Sequence, residues 1–525
     1  MFFLSLFCNK IPDFCPSFYL KSSGSPPPSG RGRGWGERGW GKRAWPLALL
    51  LFPLAAHAQP TPLTLPAIIE QALSQSVAGH QAHTNRETSY WQWRGFQANY
   101  RPQLALQGAL PNFSRVITPV VQPDGTTDFR SVRINNSNLA LTLSQNIGPT
   151  GGQLILGSEV QRFDDFNGEL KRYNNQPFTV GLVQPLGQFN GLAWNRRIEP
   201  LRYQESQRQY VEERETIAQR VAELYFDVLL QQVNADVAGQ NAQAAAEMLR
   251  VGQEKHQLGR LSQSDLLQLE LNVLDARQAQ AQARMQAENA ALDLQAYTGL
   301  PGTEAPALAV PEPARLPAVL PAQALEQARQ HRSTTLAFRR RLLQAERDVA
   351  LAKGTTGLQA TLTANLGYVN QAENLGATYA NLQNQQQVRL AFSMPLVDWG
   401  RQKSVVKTAM LAREQVQQNI TQEERSFEQA VLTQATQLPS LSQQLRLAAR
   451  ADSLAQQRYD IARATYLVGR ISLTDLNLAS AAKDLAKRGY IAALRACWVA
   501  HYRLRALTLY DFERQEPLAA TTPGR

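Results

Sequence analysis

Cysteine is nearly missing from this chain of 525 residues: there are three, Cys8, Cys15 and Cys497. Two precede an expected cleavage site, and the one thiol left builds neither a disulfide framework nor a cysteine-based metal centre. Cys497 sits in an apolar helical run and reads as a small buried hydrophobe. Histidine is sparse too. His80 and His83 could share a helix face, but His256, His331 and His501 are scattered and offer no third ligand, so no metal site is expected. There is no Gly-rich phosphate loop after a strand, no zinc-type His pair and no Gly-x-Ser-x-Gly elbow, so no enzyme and no cofactor is expected. The net charge is +11, but much of it lies in Arg31, Arg33, Arg38, Lys42 and Arg43. A nucleic-acid partner would need a dense basic stripe, which is missing. The later triplet Arg339-Arg340-Arg341 reads as a solvated helix face. Finally, no run reaches the roughly 18 apolar residues of a membrane helix, so any membrane crossing must be made of β-strands.

What is present begins with a leader. Lys42-Arg43-Ala44-Trp45 precedes a short apolar stretch, Pro46 to Leu54, ending in Ala56-His57-Ala58. A basic segment, a short apolar segment and a small-x-small site make a secretory signal peptide, cleaved after Ala58. Residues 1–58 are thus an N-terminal extension plus signal peptide. The Pro/Gly/Ser/Arg-rich start is unlike a normal leader and suggests an over-extended start codon. Hydrophobic residues are 43% and charged ones 18%, so a buried core is feasible.

The mature chain reads as one plan written twice. Leu258-Gly259-Arg260-Leu261-Ser262-Gln263-Ser264-Asp265 matches Val468-Gly469-Arg470-Ile471-Ser472-Leu473-Thr474-Asp475, and Pro185-Leu186 matches Pro395-Leu396 at the same offset (469 − 259 = 395 − 185 = 210). A period this long means duplicated halves, not a solenoid. Repeat 1 spans 59–300, a Pro-rich linker 301–321, repeat 2 322–511 and a C-terminal tail 512–525. Each repeat reads helix, strands, long helix, turn, long helix. Strand signals with period two fall at Leu104/Leu106, Leu139/Leu141/Leu143, Leu154/Leu156 and Phe178/Val180/Leu182, and again at Leu362/Ala364/Leu366/Tyr368 and Val388/Leu390/Phe392/Met394. The strand regions run over about 102–186 and 358–395. The turn Gly148-Pro149-Thr150-Gly151-Gly152 predicts an extra hairpin in repeat 1, four strands against two. Apolar on one side and polar on the other fits a lipid-facing barrel with a wet lumen; a sandwich with one solvated face shows the same period.

The long helices, Glu205 to Leu258, Ser262 to Thr298, Gln402 to Val468 and Ser472 to Tyr510, must pack side by side as coiled coils. Pro439 is expected to kink or break its helix. Gly259 and Gly469 suit the left-handed residue ending a helix. Ser262 with Asp265, and Ser472 with Asp475, have the spacing of a helix cap. That explains the motif structurally. The tips also expose Leu258, Leu261, Val468 and Ile471, which favours docking on a partner over turn packing alone.

With these motifs in order, the chain resembles the TolC-type outer-membrane efflux proteins over about 62–511. The two Val/Leu-Gly-x-x-x-x-x-Asp turns and the corners at Gln184-Pro185-Leu186 and Met394-Pro395-Leu396 carry the resemblance. Arg197-Ile198-Glu199-Pro200-Leu201 looks like the Bacteroidota variant. The resemblance implies an α+β homotrimer, with a β-barrel in the outer membrane lipid continued by an α-helical coiled-coil tunnel in the periplasm. It implies passive conduction in a tripartite efflux or type I secretion system. The helix tips Leu258 to Ser262 and Val468 to Ser472 would touch a periplasmic adaptor, itself tied to an inner-membrane pump. It also implies a tunnel entrance narrowed by Tyr466 and Asp475, with Asp265 the matching acid of repeat 1. The family's second acid is Leu478 here, which puts a double acidic ring in doubt; Asp475 also reads as a plain capping residue. The alternative is a periplasmic coiled-coil scaffold with no pore.

Overall fold

The computed structural model describes residues 63–518, apart from 302–305, 313–318 and 469. The leader, its Ala58 cleavage site and Gly469 therefore lie outside the described residues. Repeat 1 opens with α1 (Leu65–Gln75) and α2 (Val77–Ala98). Ser76 makes the break: it ends α1 in extended backbone, and its Oγ accepts from Gly79 N at 2.9 Å to cap α2. Repeat 2 opens the same way with α5 (Pro321–His331) and α6 (Ser333–Thr355), but the residue at the break is Arg332, which cannot cap. The cap comes from another helix. Glu212 accepts from Ser333 N at 2.8 Å and from Ser333 Oγ at 2.9 Å.

Two helical hairpins carry the length. They are α3 (Gly191–Gln257) with α4 (Gln263–Thr298), and α7 (Arg401–Leu467) with α8 (Leu473–Thr508). At about 1.5 Å per residue, α3 and α7 are each roughly 100 Å long. Such rods bury apolar surface only where they meet. The largest core is a waist, where Tyr225, Phe226 and Val221 of α3 meet Leu65 and Ile68 of α1 and Ile491 and Leu494 of α8. A second core joins Ala324 and Ala328 of α5, Val431 and Leu438 of α7 and Leu504 of α8. The linker is tied to the waist: Gln232 Nε2 donates to Pro306 O at 2.8 Å, and Tyr225 Oη donates to Leu63 O (3.0 Å) and Ala309 O. No helix among the described residues is long and apolar enough to cross a membrane.

Seven strands form one antiparallel sheet: β1 (Gln103–Ala109), β2 (Phe113–Val121), β3 (Thr127–Ile147), β4 (Gly152–Asp165), β5 (Leu170–Leu186), β6 (Gln359–Ala372) and β7 (Gln383–Ser393). The order is β1-β3-β4-β5-β6-β7, with β2 pairing the other end of β3. β1 and β2 share one edge of β3, so they are one pass of chain broken at 110–112. The sheet therefore has four passes from repeat 1 and two from repeat 2. Five strand segments in repeat 1, where four were read, reflect that break; Pro123-Asp124-Gly125 was the unread turn signal ahead of β3.

Four expectations are corrected. α3 starts at Gly191, not near Glu205, and runs through Pro200. α7 is continuous through Pro439. A mid-helix proline costs about 3 kcal/mol, and here Val431, Ala435 and Leu438 are buried beside it on the core face, so packing outweighs the lost bond. The Arg339-Arg340-Arg341 triplet is not simply solvated: Arg340 forks onto Glu205 of α3 (Nη2–Oε1 2.9 Å) and Arg341 onto Glu423 of α7 (Nη1–Oε2 2.6 Å). Phe512, read as the start of a tail, is buried, and the chain folds back as β8 (Tyr510–Asp511) and β9 (Glu516–Pro517).

The α8 end holds an acid-sensitive group. Burial, assisted by the Arg505 charge and opposed by Asp511, lowers the His501 pKa to about 4. The imidazole is neutral in the fold, whereas an unfolded histidine titrates near 6.5. Its contribution is intact above about 6.5 and is lost as pH falls toward 4, by roughly 3 kcal/mol at most. The detergent-solubilised protein should melt several degrees lower at pH 4.5 than at pH 7.5, and His501→Gln should shrink that difference. An unchanged difference would assign the acid sensitivity elsewhere.

Candidate functional site: hairpin tips, corners and strand wall

The first tip is built by backbone geometry. Gly259 has φ +69° and open space where a Cβ would go. Around it Gly259 N donates to His256 O at 2.8 Å and Arg260 N to Lys255 O at 2.9 Å, while His256 Nδ1 lies 2.8 Å from Leu261 O. Ser262 then caps α4, with Asp265 N donating to its Oγ at 3.1 Å. The second tip has a full capping box: Asp475 N donates to Ser472 Oγ at 3.2 Å and Ser472 N returns to Asp475 Oδ2 at 3.2 Å. The Ser472 hydroxyl also donates to Asp475 Oδ2 at 2.7 Å, and this bond, with that from the Ser472 N–H, holds the Asp475 carboxyl below the usual carboxylate range. Asp265 and Asp475 are both exposed.

The tip residues divide into two groups. Leu258 and Val468 are 72% and 69% exposed, and Arg260, Arg470, Ser262 and Ser472 are exposed as well. Leu261 and Ile471, read as exposed, are half-buried. Leu261 and Tyr466 pack on a small cluster of Met248, Leu269 and Leu476, which joins the two hairpins just behind the tips. Burial raises the Tyr466 phenol pKa, and the Lys255 ammonium sits 5.5 Å from its ring centre. Further links run between the hairpins: Arg463–Glu247 at 3.2 Å and Asn241 Nδ2 to Asp484 Oδ2 at 2.7 Å.

The corners differ. Pro185 lies in β5, paired across from Thr361, and Asn190 caps α3 while its Nδ2 holds Gly148 O at 2.9 Å. After Pro395 the second corner is bare. Leu396, Val397 and Trp399 are 85%, 72% and 97% exposed. Asp398 starts α7 by accepting from Gln402 N at 2.8 Å and Gly400 N at 3.1 Å. Every residue of β7 is exposed, and its outer edge, like that of β1, has no strand beside it among the described residues.

Sequence reading missed a stripe on α7. Leu447, Leu454, Ile461 and Val468 are exposed by 63, 48, 68 and 69%. They recur every seven residues, the spacing of a coiled-coil seam, so the signal was there to find. What the sequence could not display is that none of the described residues covers them.

Long helical rods, hairpin tips and a sheet whose two edges are open among the described residues make up the fold that the comparisons match. Residues 149–300 match the profile of the family described as outer membrane efflux protein. Among solved structures, the CmeC outer membrane channel of Campylobacter jejuni aligns at TM-score 0.60 and 15% identity, over 85% of each chain. The outer membrane protein VceC of Vibrio cholerae aligns at 0.59 and 14%, over 86% of this chain and 96% of that one. The open state of the Neisseria gonorrhoeae MtrE outer membrane channel aligns at 0.59 and 17%, over 88% and 91%. No curated protein matches. Over residues 149–300 the chain is thus similar to the outer membrane efflux protein family, and its fold is that of these outer membrane channels.

Proposed function

We propose that the protein is the outer-membrane channel of a tripartite efflux system, three copies enclosing one conduit that passively conducts substrate from periplasm to exterior. The observation that carries this reading is the set of surfaces left uncovered among the described residues. An open sheet edge carries unpaired N–H and C=O groups, and in hydrocarbon only closure satisfies them. The edges β1 and β7 run in opposite directions, as antiparallel pairing between copies requires. The α7 stripe supplies the helical part of the same interface. The exposed Leu396, Val397 and Trp399 suit the membrane boundary, where aromatic side chains collect. The protein would reach that membrane by the signal peptide cleaved after Ala58.

On this reading the tips are the entrance. The exposed Leu258, Arg260, Val468 and Arg470 form the face for a periplasmic adaptor bound to an inner-membrane pump. Tyr466 and Asp475 line the narrowing, with Asp475 both cap and charge. Opening separates the tips, which strains the Met248–Leu269–Leu476 cluster and the Arg463–Glu247 pair, so adaptor binding must favour the open form by more than these contacts cost. The pair is half-exposed and worth about 1 kcal/mol or less; the cluster dominates. A pore-free periplasmic scaffold is the other reading. Outer-membrane fractionation with a heat-modifiable gel band tests the first against it, and a soluble compact monomer would overturn the channel.

A charge at the tip separates docking from assembly. Gly259→Asp or Gly469→Asp should lower export at least tenfold while the trimer band persists. Normal export from both variants would remove the tips from the mechanism.

A further inference from the structure

Repeat 1 carries two passes that repeat 2 lacks. From the end of α6 to the start of β6 the chain needs only residues 356–358, whereas from α2 to β4 it runs from 99 to 151 and makes β1, β2 and β3. Such an insertion can be an external loop, a plug in the lumen or part of the wall. We propose that it is wall: β1 and β3 face membrane hydrocarbon, and each chain contributes six passes, so that a trimer closes eighteen. This rests on the outer-membrane trimer proposed above.

Three observations point the same way. First, register. Directly paired residues share a face of a sheet, and Leu104 pairs Leu143, Leu143 pairs Leu156, Leu156 pairs Val180 and Val180 pairs Leu366. One apolar row thus crosses from the inserted passes into repeat 2 without a break. Second, alternation. The next row, Ala105, Thr142, Gly157, Thr179, Gly367 and Gln385, is small or polar throughout and lies on the opposite face. A loop or plug has no need to keep the same inside and outside as the wall. Third, anchoring. The base of the insertion is tied where the strands meet the helices: Tyr100 Oη donates to Leu192 O at 2.7 Å, and Asn146 Nδ2 to Asn99 O at 2.9 Å. The half-turn at 148–149 is held by Asn190, the residue that caps α3.

The occupant of the outer face of β1 and β3 is lipid. Leu106 and Leu141, paired with each other, are 67% and 45% exposed, close to Leu390 at 58% on the far edge. With strands about 4.8 Å apart and tilted about 40°, eighteen strands enclose a backbone ring about 36 Å across, against about 24 Å for the twelve that remain without the insertion. A barrel about 1.5-fold wider leaves selection to the tips.

The test places single cysteines at Leu106, Leu141, Gln107 and Leu390 in a Cys497→Ala background of the full protein. Each is labelled with a small fluorophore and reconstituted in phosphatidylcholine vesicles with and without brominated acyl chains. Labels at 106, 141 and 390 should be quenched at least twofold by brominated lipid, and the label at 107 by aqueous iodide instead. Quenching at 390 but not at 106 and 141 would overturn the wall assignment and leave the channel intact. Absence of lipid quenching at all three would overturn both. Density for the unsubstituted trimer in lipid discs provides a second measurement: eighteen strands support the wall, and twelve overturn it.

Discussion

Leu454→Arg with Ile461→Arg should abolish the proposed trimer. Each residue is apolar and largely exposed in the single chain, and each lies on the α7 stripe that repeats every seven residues. Burying such a side chain is worth about 1.5–3 kcal/mol, and three copies lose it at once. The substitution also places a guanidinium in the seam proposed between copies, and a charge buried there without a partner costs more than the lost burial. Trimer should give way to monomer on a native gel, and export should fall at least tenfold. Gln456→Arg is the matched control. It adds the same charge to the same helix off the stripe, beside Asp460, and should leave the trimer intact. A stable trimer from the double variant would mean that the seam runs along another face.

Arg340→Leu should be the most destabilising single substitution in the helical body. Glu205 is 5% exposed, and the fork from Arg340 is its main partner, with Gln209 only 3.5 Å away. Removing one member of a buried pair strands the other charge, at about 3–5 kcal/mol. Removing both leaves apolar groups of similar bulk, so Arg340→Leu with Glu205→Leu should recover most of the loss. The half-exposed pair Arg347–Asp348 calibrates the scale, since Arg347→Leu should change stability by less than about 1 kcal/mol. Thermal melting of the three variants beside the unsubstituted protein in detergent measures all of this. If Arg340→Leu behaves like Arg347→Leu, the pair does not tie α6 to α3.

Both variants probe what sequence reading left out, for different reasons. The α7 spacing was written in the chain, but a seven-residue repeat becomes an interface only if its own chain leaves it uncovered. Glu205 and Arg340 are 135 positions apart, and no local pattern announces that pair. The tip motifs were more legible because their physics is local: a left-handed glycine, a serine cap and an acid three residues on are neighbours in sequence. Even there the reading stopped at the backbone. Leu258 and Leu261 looked alike as exposed tip residues, yet only Leu258 is open, because Leu261 meets a core supplied partly by the other hairpin.

By itself the sequence determined the local elements of this protein: two copies of helix, strands and long hairpin, their turns, and the alternation that gives the strands an apolar and a polar face. These follow from side-chain periodicity and backbone preference, which act over a few residues. The tertiary structure decided whether Pro439 ends a helix, which arginines are paired, and where the inserted passes sit in the sheet. Those outcomes depend on burial and on partners far along the chain, and the free energy of a distant contact is not written in the residues beside it.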